Sequence, residues 1–201
     1  MTLTKGIAMD AKPNNPHSSQ LILDIAQQLV QTRGYNSFSY ADVAAALGMT
    51  KASLHYHFAS KAQLGVSLID RYTDRFQQEL DSISQSGGDA ATKLQHYVRI
   101  FSQVLGDDRM CLCGMLAAEF VTLPKSMQEA LDHFFGSNER WLVSVLEDGQ
   151  ASRELHFNGP AADMAQFLVG SLEGTMLLAR SQGGMARFDA AARRLLAGLG
   201  I

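Results

Sequence analysis

Between Thr50 and His57 the chain sets Lys51, Ala52, Ser53, His55 and Tyr56 within one short helical run. Small side chains let a backbone come close to base edges. A lysine brings charge for a phosphate, and hydroxyl and imidazole groups supply hydrogen-bond donors. This is chemistry for the grooves of duplex DNA rather than for bond breaking. The run is preceded by a second short helical signal. Ser39 stands ahead of Tyr40–Leu47, and Asp42 completes a capping-box-like start. Gly48 then stops the helix and Thr50 caps the next. Helix, glycine-containing turn and helix over residues 39–57 form the helix-turn-helix pattern, in which the first helix braces and the second enters the major groove. Val43, Ala44 and Leu47 are expected to face Leu54 and the preceding helix. Ala44 and Gly48 are small where two helices must approach. The same pattern suits a plain three-helix packing unit, and on spacing alone both readings stand.

The other residues with reactive chemistry are Cys111 and Cys113, the only two cysteines. One residue apart, they cannot share a helix face, and no nearby Cys or His completes a metal site. The simplest reading is a pair of small apolar residues. The rival is a thiol sensor, with Arg109 lowering a thiol pKa against the opposing Asp107 and Asp108. Around them the middle of the chain is rich in soft and aromatic side chains. Phe101, Met110, Cys111, Met115, Phe120, Phe134, Trp141 and, further on, Met176 are candidates for an adaptable apolar pocket, or else plain core. His96, Arg99, Glu119 and His133 read as surface polar residues. There is no phosphate-binding Walker loop, no His-Glu-x-x-His and no Gly-x-Ser-x-Gly. No enzyme, metal or cofactor is expected.

All these groups must be placed by helices. The chain has four prolines, two of them before residue 17, and lacks long alternating β-branched runs. Residues 1–17 read as a flexible arm, 18–62 as a helix-turn-helix domain and 63–201 as a helical ligand-binding and dimerisation domain. An all-α fold of about nine helices follows. Leu21, Ile25 and Leu29, flanked by Ile22, Ala26 and Val30, predict an amphipathic helix ending at Arg33-Gly34. Ser60–Gln63 is a capping box opening a long helix striped by Leu64, Leu68, Tyr72, Phe76 and Leu80. Further helices are predicted over about 89–105, 109–123, 124–151, 160–181 and 188–199, with Pro124 and Pro160 at first-turn positions. Leu168, Leu172 and Met176 on one helix, with small Gly170, Ser171 and Gly174, and Phe188, Ala192, Leu195 and Leu199 on the last helix suit either a dimer interface or internal core.

Composition narrows the class. At 201 residues and 46% hydrophobic, the chain can bury a core and is not a disordered polymer. No apolar run is long enough to span a membrane and the N-terminus lacks a signal peptide's apolar core, so a cytoplasmic protein is expected. The net charge of −3 argues against a nucleic-acid partner until its location is examined. Residues 1–62 carry five basic and three acidic residues, a balance of +2, and the remainder carries −5.

One further signal lies in the local strings. Ile22-Leu23-Asp24-Ile25-Ala26, Gly34-Tyr35 and Ser39-Tyr40-Ala41-Asp42-Val43-Ala44 resemble the start of the TetR family of transcriptional regulators. Gly48-Met49-Thr50-Lys51-Ala52-Ser53-Leu54-His55-Tyr56-His57-Phe58-Ala59-Ser60-Lys61 resembles that family's recognition helix and the start of its fourth helix. The likeness covers about residues 18–72; beyond that only the length and helical layout are similar. It implies a repressor that binds a palindromic operator in double-stranded DNA as a homodimer and is released by a small-molecule effector. It further implies that Lys51, Ala52 and Ser53 sit nearest base edges, and that Thr50, Tyr56 and His57 shape the recognition helix. Lys61 would hold a phosphate with backbone N–H groups. Tyr40, next to the capping Ser39, would meet the opposite backbone. His55 departs from the pattern, since the family usually has a phosphate-touching tyrosine there. The last two helices would form a four-helix dimer interface, here through Leu168, Ser171, Leu172, Gly174, Phe188, Ala192 and Leu195. The stretch from Cys111 to Glu119 also resembles the segment carrying a reactive cysteine in some electrophile-responsive members. The alternatives are therefore a thiol-responsive repressor using Cys111, or a helical small-molecule-binding protein without DNA binding.

Overall fold

The computed structural model describes residues 16–201. Among these the chain forms nine α-helices and one 3-10 turn. They are α1 (Pro16–Arg33), α2 (Tyr40–Leu47), α3 (Lys51–His57), α4 (Lys61–Gln85), α5 (Ala90–Gly106), α6 (Leu112–Ala118), the 3-10 turn Phe120–Thr122, α7 (Lys125–Ala151), α8 (Ala161–Ser181) and α9 (Gly184–Ala197). The expected arm lies outside the described residues except for its last two, which already open α1.

Local chemistry accounts for the boundaries around α2 to α4. Ser39 caps α2 through a complete capping box with Asp42. Thr50 accepts the Ser53 N–H at 3.1 Å and Ser60 accepts the Gln63 N–H at 3.1 Å. Each such cap contributes about 1 kcal/mol. Gly48 ends α2 in the left-handed region at φ 63°. A Cβ there would meet nothing within 4 Å, so the glycine serves the turn and not the close helix approach expected from its size.

One predicted helix is not formed. Residues 109–123 break into α6 and the 3-10 turn because the start of the segment is drawn to α1. The Met110 N–H donates to the Gln31 carbonyl (3.1 Å) and the Gln31 amide donates back to the Met110 carbonyl (2.9 Å). Asp108 takes a positive φ of 57° to make that turn. Pro124 and Pro160 sit one position earlier than expected, as N-caps, and α9 starts at Gly184 rather than near Phe188.

The stripe Leu64, Leu68, Tyr72, Phe76, Leu80 on α4 is buried along its whole length. It meets an aromatic cluster contributed by α5 and α7. Phe76 lies 5.3 Å from Phe134 and 6.1 Å from Phe101, and Tyr97 stacks on Trp141 at 5.7 Å. Edge-on and stacked pairs of this kind add to the area they bury. Arg71 joins α4 to α1 by an ion pair with Asp24 (2.8 Å) and a hydrogen bond to Gln27 (2.8 Å).

Candidate nucleic-acid interface

Helix α3 turns Leu54 fully inward against the core and leaves Lys51, Ala52, His55 and Tyr56 exposed, with Ser53 half-buried beside them. Tyr56 is 62% exposed, its ring meeting His57 edge-on at 5.6 Å. The outward set therefore combines one cation, one hydroxyl, one imidazole, one phenol and one methyl on two turns of a helix held at both ends. Such a surface can hydrogen-bond phosphates and base edges.

Other residues expected at this interface are occupied inside the protein. Tyr40 is buried, and its hydroxyl donates to the Phe58 carbonyl at 2.8 Å. Burial pushes its pKa up to about 12, which keeps it a neutral donor. Its ring also supports His55, 4.7 Å away, and His55 Nδ1 lies 3.2 Å from the Ala59 carbonyl. The ring of His57 shares a hydrogen bond with Ser19 of α1 (3.0 Å). Lys61 departs furthest from expectation. Its ammonium donates to the carbonyls of Tyr35 and Phe38 at 2.6 Å each and sits over both rings at 4.3 and 4.4 Å. Burial lowers its pKa, against the pull of Glu119 and Asp42. Two of its three N–H bonds thus tie the α1–α2 loop to α4. Ser39 spends its hydroxyl on the α2 cap.

The expected pocket residues do not line a common cavity. Phe101, Phe134 and Trp141 belong to the aromatic cluster, and Met110, Cys111 and Met176 are buried in core packing. Met115 is half-buried, and Phe120 stands 37% exposed on the 3-10 turn. Surface cavities of about 240 Å³ between α4 and α5, and about 450 Å³ where α5 meets the α8–α9 turn, are lined by other residues. Burial pushes the pKa of both thiols well up, and neighbouring Glu173 adds to this for each.

The expected dimer stripes also need correction. Leu168, Leu172, Phe188 and Ala192 are buried within the chain, because α8 packs on α7 and α9 with that face. Ser171, Gly174 and Leu195 instead line an outer groove of about 590 Å³ with Phe167, Gly170 and Leu178. Phe167, Leu177 and Leu178 are more than half exposed.

Four side chains tie α1 and the loop after it to α4, to the segment around α6 and to α8, and sequence reasoning missed them. The Glu119 carboxylate accepts the N–H groups of Tyr35 (2.7 Å) and Asn36 (3.2 Å), so it is not a free surface acid. Gln31 pairs with Met110 as described above. Arg71 holds α4 to α1. Arg180 of α8 donates to the Thr32 carbonyl and lies 3.8 Å from the Met115 sulfur. The one local hint was the acidic Glu119 beside a helix end; the others have no signal without the fold.

Comparison with known proteins agrees with this geometry. Residues 22–67 match the family model described as bacterial regulatory proteins, tetR family, and residues 90–195 match the tetracyclin repressor-like C-terminal domain. The HTH-type transcriptional repressor NemR of Escherichia coli (strain K12) is 28% identical over 163 residues, covering 79% of this chain and 82% of that protein. A crystal structure of a TetR family transcriptional regulator from Agrobacterium tumefaciens superposes with a TM-score of 0.89 at 33% identity, over 92% of this chain and 99% of that one. A TetR transcriptional regulator from Legionella pneumophila gives 0.83 at 33% identity, over 92% and 98%.

Proposed function

The chain belongs to the tetR family of bacterial regulatory proteins, DNA-binding transcriptional regulators rather than enzymes, and on that premise we propose that it is a homodimeric cytoplasmic repressor released from its operator by a small molecule. Residues 18–62 are the DNA-binding unit and 63–201 the sensing and pairing unit. The observation that carries this reading is the outward face of α3. Lys51, Ala52, Ser53, His55 and Tyr56 are presented on a helix capped by Thr50 and backed by buried Leu54. Lys51 and Tyr56 reach phosphates, and Ala52 and Ser53 come closest to base edges.

The outer groove of α8 and α9 supports pairing, since large apolar side chains are exposed there next to small residues that let a second copy approach. Two copies then set two α3 helices at half-sites about one helical turn apart or a multiple of it. Among the described residues no helix is long and apolar enough to cross a membrane. The links from Glu119, Met110 and Arg180 into α1 and its following loop supply the route by which a ligand would alter that spacing.

A mobility-shift titration of DNA from the chain's own upstream region is the direct test. Binding should weaken steeply with salt, and Lys51→Ala should lower affinity about tenfold or more. Failure to enrich any sequence from a randomised DNA pool would refute the reading.

A further inference from the structure

Inside the outer helices lies a group of polar atoms that the packing leaves unsatisfied. Tyr97 on α5, Asn138 on α7 and Glu173 on α8 come from three helices that pack on one another. Tyr97 Oη, Asn138 Oδ1 and Glu173 Oε2 are all buried without a hydrogen-bond partner. The Tyr97 hydroxyl is next to Asn138, and Glu173 is close enough for its charge to act on Tyr97. Glu173 is half-buried as a residue, and its Oε2 is enclosed against Gly114, where a Cβ would collide with it.

Nothing in the fold requires an acid here. Among the described residues no Lys, Arg or His forms an ion pair with Glu173; the only neighbour within hydrogen-bonding reach is the weak Cys111 thiol. A buried carboxyl of this kind is less stable than an apolar residue of the same size, so its presence points to something that completes it. Two of the three unsatisfied atoms are carbonyl or carboxylate oxygens, and the third is a hydroxyl that can give or accept. Their complement is a donor-rich group. The Tyr97 ring is itself set among aromatics: it stacks on Trp141 and meets Phe76 and Phe101 edge-on.

We propose that this is the effector site, and that its ligand is a small primary ammonium compound with an apolar body. Its N–H groups go to Glu173, Asn138 and Tyr97. Its apolar part takes the place of the Trp141 ring, which is half-buried and whose Nε1–H is held by Ser84 Oγ at 2.9 Å. The proposal rests on the reading of the chain as a ligand-released repressor and names the ligand class. It also supplies a coupling route. A cation on Glu173 draws it from Cys111, which opens α6; the preceding residue, Met110, is bonded both ways to Gln31 of α1. Seven residues along α8 from Glu173, Arg180 holds the last turn of the same helix α1.

Trp141 is the only tryptophan, so its fluorescence reports the site directly. The full chain is titrated with n-hexylammonium chloride, n-hexanol and sodium n-hexanoate, with calorimetry alongside. Saturable binding of the ammonium is expected, at least tenfold tighter than the alcohol or the acid. It should weaken at least tenfold in Glu173→Gln, and Tyr97→Phe, which leaves the ring in place, should weaken it less. Absence of saturable ammonium binding, equal binding of the alcohol, or an unchanged affinity in a folded Glu173→Gln protein overturns the proposal. An ammonium ligand that binds in this manner yet leaves DNA affinity unchanged upholds the site and refutes release by ligand.

Discussion

Replacing Glu173 by Gln should stabilise the protein, and only above mildly acidic pH. Burial raises the Glu173 pKa from an ordinary 4.5 to about 7, partly offset by the Cys111 thiol. Between those values the folded chain keeps the proton and the unfolded chain has released it. The unfolded state then binds fewer protons, so stability falls as pH rises through this window. Below it Glu173 is neutral in both states and has no effect of this kind. Above about pH 7 the full penalty is present, about 3 kcal/mol at roughly 1.4 kcal/mol per unit. Glutamine has nearly the same shape and never ionises. The variant should therefore match the parent near pH 4.5 and exceed it by about 3 kcal/mol at pH 8, or about 6–12 °C in midpoint for a chain of this size. Thermal unfolding followed by circular dichroism at pH 4.5, 6, 7 and 8 measures this. Parallel pH profiles for the two proteins would refute the reasoning, since they would mean that Glu173 titrates alike folded and unfolded.

Three further outcomes follow from the geometry. Gly48→Ala places a Cβ at a positive φ with open space around it, so the cost is purely conformational, about 1–2 kcal/mol by chemical denaturation, with weakened DNA binding from a loosened α2–α3 turn. Leu178→Glu puts a charge on the exposed apolar groove and should convert a dimer to monomer in sedimentation while leaving the helix content intact, because that side chain is half exposed and not part of the core. Glu119→Ala strands the Tyr35 and Asn36 N–H groups and unties the α1–α2 loop, which should reduce any ligand effect on DNA affinity more than it reduces DNA affinity itself. Unaltered release in that variant would remove Glu119 from the coupling route.

How far the site could be read in advance depends on the range of the interactions that build it. The caps at Ser39, Thr50 and Ser60 and the stop at Gly48 are decided within three or four residues, and all four form where their residue types place them. The outward face of α3 follows from period and from Leu54 pointing in. Tyr40, Lys61 and His57 look the same as DNA contacts in sequence, yet their polar atoms go to Phe58, Tyr35, Phe38 and Ser19. Periodicity likewise located the stripes of α8 and α9 without telling which neighbour they meet. Leu168 and Phe188 serve the chain's own core, while Phe167 and Leu178 are left outside.

What the sequence by itself determined is the helical class, the helix-turn-helix and the identity of the family, because capping, hydrophobic period and a dense local motif are short-range properties. Only the tertiary structure decided that residues 109–123 do not form one helix, since Gln31 claims Met110 from 79 residues away. The same holds for the meeting of Tyr97, Asn138 and Glu173. Each is an ordinary polar residue on its own helix, and the packing of α5, α7 and α8 makes them a buried cluster without partners. Desolvation depends on everything that surrounds a group, so no local pattern could have announced it.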